Sequence, residues 1–230
     1  MLAANPGRLA DEARRAVRAG ADWIHWDIMD GHFVPNLSYG PRVVSSIRKV
    51  VSKPFDVHLM CSQPEILLEP FAKAGADSIT VHVELGARVN DLIWKIRALK
   101  KKVGLAINPT TNLNLLAPFL RHLDMILIMT VNPGYGGQSF IEEMIPKIQQ
   151  LQKMRRAKNL GFRIEVDGGI DYETAAHCAQ AGADTFVSGT TLFSSRNLRN
   201  AIRKMRGAAE KSAQIAGDGP SGIKKAERSR

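Results

Sequence analysis

Hydrophobic positions along this chain follow two alternating periods. Short runs dense in aliphatic and β-branched residues lie near 23–29, 55–60, 78–83, 103–107, 125–131, 163–167 and 185–188. Runs of that length, bounded by turn residues, predict strands. Between them, apolar residues recur at helical spacing near 6–18, 41–51, 64–74, 90–100, 113–122, 140–157 and 172–181, with a final stretch at about 197–207. The tetrapeptide Ala-Gly-Ala-Asp occurs at 19–22, 74–77 and 181–184, each time after a helical stretch and before a strand. A helix stopped by Gly at C′, then a tight turn into a strand, is the physical reading. Repeated helix–stop–strand units imply parallel strands joined by right-handed crossovers. Only Met1, Leu2 and Ala3 are left to supply a strand before the first helix. The expected fold class is therefore α/β, a single (β/α)8 TIM barrel over 1–206 with its first strand truncated. A doubly wound sheet would want a G-x-G-x-x-G first turn, and the chain has none.

Composition changes this picture at the edges. The chain has 230 residues, 44% of them hydrophobic and only 6% aromatic, which suits one domain with an aliphatic core. From Gly207 the pattern decays into Gly217, Gly219, Pro220, Gly222, Lys224, Lys225, Arg228 and Arg230. That reads as a basic, disordered tail over 207–230. The formal net charge is +10, but no helix-turn-helix, zinc finger or aromatic stacking motif accompanies it. The expectation is no nucleic-acid partner, and a positive field that steers a small anionic substrate. No apolar run reaches membrane-span length, and residues 1–15 lack an apolar signal core. The expected location is cytoplasmic, with no membrane partner. Cys61 and Cys178 are expected as free thiols.

Candidate chemistry sits at the strand ends. In Ile24-His25-Trp26-Asp27-Ile28-Met29, side chains two apart share a face, so His25, Asp27 and Met29 point together. Asp56-Val57-His58 and Glu165-Val166-Asp167 repeat the theme. In a barrel the C-terminal ends of the strands converge on one mouth. His25, Asp27, His58 and Asp167 then offer two imidazoles and two carboxylates to one divalent ion. That donor set suits Zn, Fe(II), Co or Mn better than Mg or Ca. His82 is expected to line the mouth without ligating. The glycine-rich loops Asn132 to Gln138, Gly168-Gly169 and Ser188 to Thr191 follow neighbouring strands and suit a phosphate cradle. Met29, Met60 and Met129, near three strand ends, are expected to line the pocket as a polarizable, water-poor lid.

The segments 25–36 (HWDIMDGHFVPN), 56–60 (DVHLM), 131–140 (VNPGYGGQSF) and 165–169 (EVDGG) closely resemble the ribulose-phosphate 3-epimerase family, over about 2–206. The resemblance implies a barrel of the ribulose-phosphate-binding type. It also implies interconversion of D-ribulose 5-phosphate and D-xylulose 5-phosphate through an enediolate. His25, Asp27, His58 and Asp167 match the family's metal ligands, and Asp27 and Asp167 its acid/base pair, with His58 and Asp167 also on the substrate. Gly134, Tyr135, Gly136, Gly137, Gly168, Gly169, Gly189 and Thr190 match its phosphate-binding positions, the last being serine in most members. Members carry a Pro-Ser before the segment matching 1–5; here it is absent, so either the chain begins late or strand one is truncated. The resemblance further implies a homo-oligomer. Alternatives are a 3-epimerase of another ketose phosphate, such as D-allulose 6-phosphate, and a non-catalytic sugar-phosphate-binding barrel. A related decarboxylase would want an Asp-x-Lys-x-x-Asp strand, and Asp27-Ile28-Met29-Asp30 lacks the lysine.

Overall fold

The computed structural model describes residues 1–217. Seven strands follow one another: β1 (Ile24–Met29), β2 (Phe55–Met60), β3 (Ser78–His82), β4 (Lys102–Ile107), β5 (Met125–Met129), β6 (Arg163–Asp167) and β7 (Thr185–Val187). They form one parallel sheet in sequential order, with no crossover skipping a neighbour. The helices are α1 (Leu9–Ala19), α2 (Pro41–Arg48), α3 (Leu68–Ala74), α4 (Val89–Ala98), α5 (Met144–Ala157), α6 (Tyr172–Ala181), α7 (Thr190–Phe193) and α8 (Leu198–Ile215). The three Ala-Gly-Ala-Asp repeats end α1, α3 and α6. Gly20, Gly75 and Gly182 sit there at φ of 105°, 104° and 114°. That left-handed conformation lets their N–H groups close the last helical turn.

This is a TIM-barrel-type sheet, but seven strands rather than eight are hydrogen-bonded among the described residues. Residues 1–4 make a turn instead, in which Ala4 N donates to Met1 O. That turn lies at the seam where an eighth strand would stand. Met1 N donates to His25 O on β1 at 2.7 Å. Ala3 packs against Gly189, just past β7.

The alternation along each strand divides the molecule. Ile24, Trp26, Ile28, Phe55, Val57, Leu59, Ile79, Val81, Leu105, Ile126, Ile128, Ile164 and Val166 belong to one continuous core with the helices. The intervening positions, among them His25, Asp27, Asp56, His58, Ser78, Thr80, Glu165 and Asp167, face the inside of the curled sheet. A strand buried on both faces with such polar residues on one of them is unusual, because buried polar groups must be satisfied by one another.

Three elements differ from the periodic pattern. The stretch 113–122 is two short 3-10 turns, Leu113–Leu116 and Leu120–His122, not a helix. Asn112 caps the first of them, and Pro118 has no N–H to extend it. The helix expected from 140 begins at Met144. The last helix runs past 207 to Ile215, because Met205 and Ala209, one turn apart, remain buried. The expected tail from 218 onward lies outside the described residues.

Candidate active site

Register places the key groups level with one another. His25 pairs with Asp56, Asp27 with His58 and Met129 with Asp167. Donor atoms of His25, Asp27, His58 and Asp167 all lie within 4.8 Å of one another. His25 Nε2 is 3.2 Å from Asp27 Oδ1 and 3.9 Å from Asp167 Oδ2, and His58 Nδ1 is 3.4 Å from the same Asp27 oxygen. Adjacent ligands of a tetrahedral ion with 2.0–2.1 Å bonds stand about 3.3 Å apart. The cluster is therefore spaced for a small divalent ion. His58 Nδ1 is moreover buried with no hydrogen-bond partner, which is costly unless something else takes its lone pair. The residues present fit a metal ion.

Burial and neighbouring charge set the protonation of each group. Burial works against a charged His25, but the Asp27 charge and its bonds to Asp27 and Asp56 overcome it and raise its pKa well above the usual value. Burial likewise opposes the Asp27 carboxylate, yet His25 and His58 hold it well below the usual range. For His58, burial dominates and pulls the imidazole down to about 4, so it is neutral and able to ligate. Burial, then the Asp27 charge, pushes Asp167 up to about 7. Two carboxyl groups this close in a dry pocket resist joint ionisation without a cation.

A second layer supports the first. His25 Nδ1 lies 2.7 Å from Asp56 Oδ2, and Ser78 Oγ donates to the other Asp56 oxygen. Glu165 is buried beside them, its pKa raised by burial and then by the Asp56 charge. His58 Nε2 lies 2.8 Å from His82 Nε2, and His82 Nδ1 lies 3.0 Å from Glu84 Oε2. His82 thus stands behind a ligand position, not in the cluster. Asp56 and Glu165 each sit two residues before a cluster residue. The same-face rule that joined His25 to Asp27 applies to them equally. Glu84 lies beyond the end of β3, where no period marks it.

The loops at this end also converge. A Cβ on Gly168 would overlap the Val131 side chain, and one on Gly169 would strike Phe140 N at 2.5 Å. The β5 and β6 loops therefore touch with no room for a side chain between them. Gly137 faces the Thr190 hydroxyl, and Gly136 and Gly189 face Leu2 and Ala3. Tyr135 is exposed, and its hydroxyl donates to Pro35 O; Asn36 Nδ2 donates to Gly134 O. Both bonds tie the β5 loop to the β1 loop. Met29 and Met60 pack together with Val34, whereas Met129 sits in a separate group with Ala106 and Leu127. His177 is exposed and His122 half-buried, both remote from the cluster in the sequence of elements. Both cysteines are buried and unpaired.

A sequential parallel βα sheet with its titratable cluster at the C-terminal ends of the strands defines an enzyme of the TIM-barrel class. Comparison with known proteins narrows this. The sequence profile of the ribulose-phosphate 3 epimerase family matches residues 1–193. The chain is 45% identical to the ribulose-phosphate 3-epimerase of Synechocystis sp. over 218 residues, covering 94% of this chain and 95% of that one. It is 40% identical to the Bacillus subtilis ribulose-phosphate 3-epimerase, covering 90% and 96%. The chain belongs to the ribulose-phosphate 3 epimerase family. Among solved structures, 3-hexulose-6-phosphate synthase from Salmonella typhimurium superposes with a TM-score of 0.67 at 18% identity, covering 90% of this chain and 94% of that one. KGPDC from Streptococcus mutans gives 0.63 at 19%, covering 88% and 91%. These two likenesses establish the fold alone. Among the described residues, no helix is long and apolar enough to cross a membrane.

Proposed function

We propose that this chain interconverts D-ribulose 5-phosphate and D-xylulose 5-phosphate by a two-base proton transfer at C3. The observation that carries this reading is the cluster itself: two carboxylates and two imidazoles within 4.8 Å, one imidazole nitrogen buried without a partner. His25, Asp27, His58 and Asp167 would hold one divalent ion, drawn from Zn, Fe(II), Co or Mn. Such an ion supplies a Lewis acid for the ketone oxygen and for the charge that develops on it.

The protein's own groups do the rest. Inversion at a carbon beside a ketone needs a proton removed from one face and another returned on the opposite face. Asp27, held ionised, takes the C3 proton. Asp167 delivers one from the other side. The roles exchange in the reverse direction. Gly134, Tyr135, Gly136 and Gly137, with Gly168, Gly169, Gly189 and Thr190, form the cradle for the substrate phosphate, where small residues let backbone N–H groups approach. Met29, Met60 and Met129 line the sugar end, and His58 and Asp167 also contact the sugar. The reading carries with it a cytoplasmic homo-oligomer, testable by light scattering.

A coupled assay on D-ribulose 5-phosphate tests the activity, with D-allulose 6-phosphate as comparator. Asp27→Asn should lower turnover by at least ~100-fold, and stripping with a chelator should abolish activity until a divalent ion is restored. Near wild-type turnover in the variant would refute the assignment of Asp27.

A further inference from the structure

We propose that Glu84 sets the tautomer of His58 through His82, which lies between them, and so presents a bare Nδ1 lone pair to the metal position. The inference rests on the metal reading above for its purpose, though not for its geometry.

The three side chains form one line. Glu84 Oε1 accepts from Asn108 N at 2.8 Å, and Oε2 lies 3.0 Å from His82 Nδ1. Its carboxyl is held down to about 2, where burial is outweighed by bonds from His82, Thr111 and the Asn108 N–H. An ionised carboxylate only accepts. The proton of a neutral His82 must then sit on Nδ1, because a bare Nδ1 would set two lone pairs facing at 3.0 Å. His82 Nε2 is left as an acceptor. It lies 2.8 Å from His58 Nε2, so His58 must donate from that nitrogen. One proton per neutral imidazole leaves His58 Nδ1 bare. That is the buried atom without a partner, turned toward Asp27 Oδ1 at 3.4 Å. With one proton on each imidazole, every link has one permitted direction once the first is fixed.

The surroundings keep the line from rearranging. His58 and His82 have no solvent exposure, so water cannot replace either partner. The Phe33 ring lies 4.7 Å from the His82 ring. The loop that anchors Glu84 is itself braced, since Lys147 Nζ donates to the carbonyls of Asn108, Pro109 and Thr111. His25 needs no such spacer, because Asp56 reaches its Nδ1 directly at 2.7 Å. The two histidines thus use opposite nitrogens toward the cluster, each selected by a carboxylate behind it. Glu84 and His82 are positioning residues.

Nitrogen-15 NMR of histidine-labelled, metal-free protein tests this. In the wild type we expect His58 protonated at Nε2 and His82 at Nδ1. Glu84→Gln carries one acceptor oxygen where two are needed. It should spread His58 over both tautomers and weaken Zn²⁺ or Mn²⁺ binding by about 10–100-fold, the usual effect of losing such a partner. His58 protonated at Nδ1 in the wild type would overturn the proposal. So would wild-type tautomers and metal affinity in Glu84→Gln. A wild-type protein with the expected tautomers that bound neither ion would overturn the metal centre while supporting the relay.

Discussion

At the scale of single residues, most polar groups on the inner face of the sheet have a partner set by register, and His58 Nδ1, Thr80 Oγ1 and Glu165 Oε2 stand out as buried atoms without one. Asp30 shows the same economy just outside the cluster. One of its oxygens accepts from the N–H groups of His32 and Phe33, and the other from Ser62 N and Oγ. Burial opposes the charge, but these four donors draw the carboxyl down to about 2. A pKa lowered in the folded state means stability that is complete above the unfolded value of 3.8 and is lost as pH falls toward 2. Asp30→Asn should cost about 1 kcal/mol at pH 7, well below the raw size of the shift because solvent screens a half-exposed group. The loss should be much smaller at pH 2 than at pH 7, as urea titrations at the two values would show; an equal loss at both would contradict it. His25, Asp27, His58 and Asp167 were legible in the sequence because a two-residue period and strand ends place them. Asp56 and Glu165 obey the same period but read as ordinary charged residues until register sets them beside His25. Glu84 was illegible, since its role depends on a loop 24 residues away.

At the scale of elements, the glycine stops and aliphatic runs made β1 to β7 and most helices readable. The failures lie where local chemistry overrides period, as at Pro118, and where a helix continues on two buried residues, as in α8. The start of α6 is the element most directly tied to the site, because it follows Gly168 and Gly169. Asp171 Oδ1 accepts from Glu173 N and Thr174 N, and Thr174 Oγ1 accepts from Asp171 N, a reciprocal cap. Asp171→Ala should therefore destabilise the protein by about 1 kcal/mol. Thermal or urea unfolding of the variant measures this, and an unchanged midpoint would show that the cap is redundant.

At the scale of the molecule, a continuous core wraps the sheet and seals both thiols. Burial, then the Asp30 charge, pushes Cys61 up to about 12, and burial, then the Glu142 charge, does the same for Cys178. Thiolate is the reactive form, so alkylation of the folded protein at pH 8 should run at least ~100-fold slower than in urea. Comparable rates would mean that the core opens readily. The proposed chemistry removes a proton from one face of C3 and returns another to the opposite face. Incubating the enzyme with D-ribulose 5-phosphate in D₂O and following the C3 proton by NMR tests that most directly. Solvent deuterium should enter C3 as xylulose 5-phosphate forms; product that keeps its original C3 hydrogen would rule out the two-base transfer.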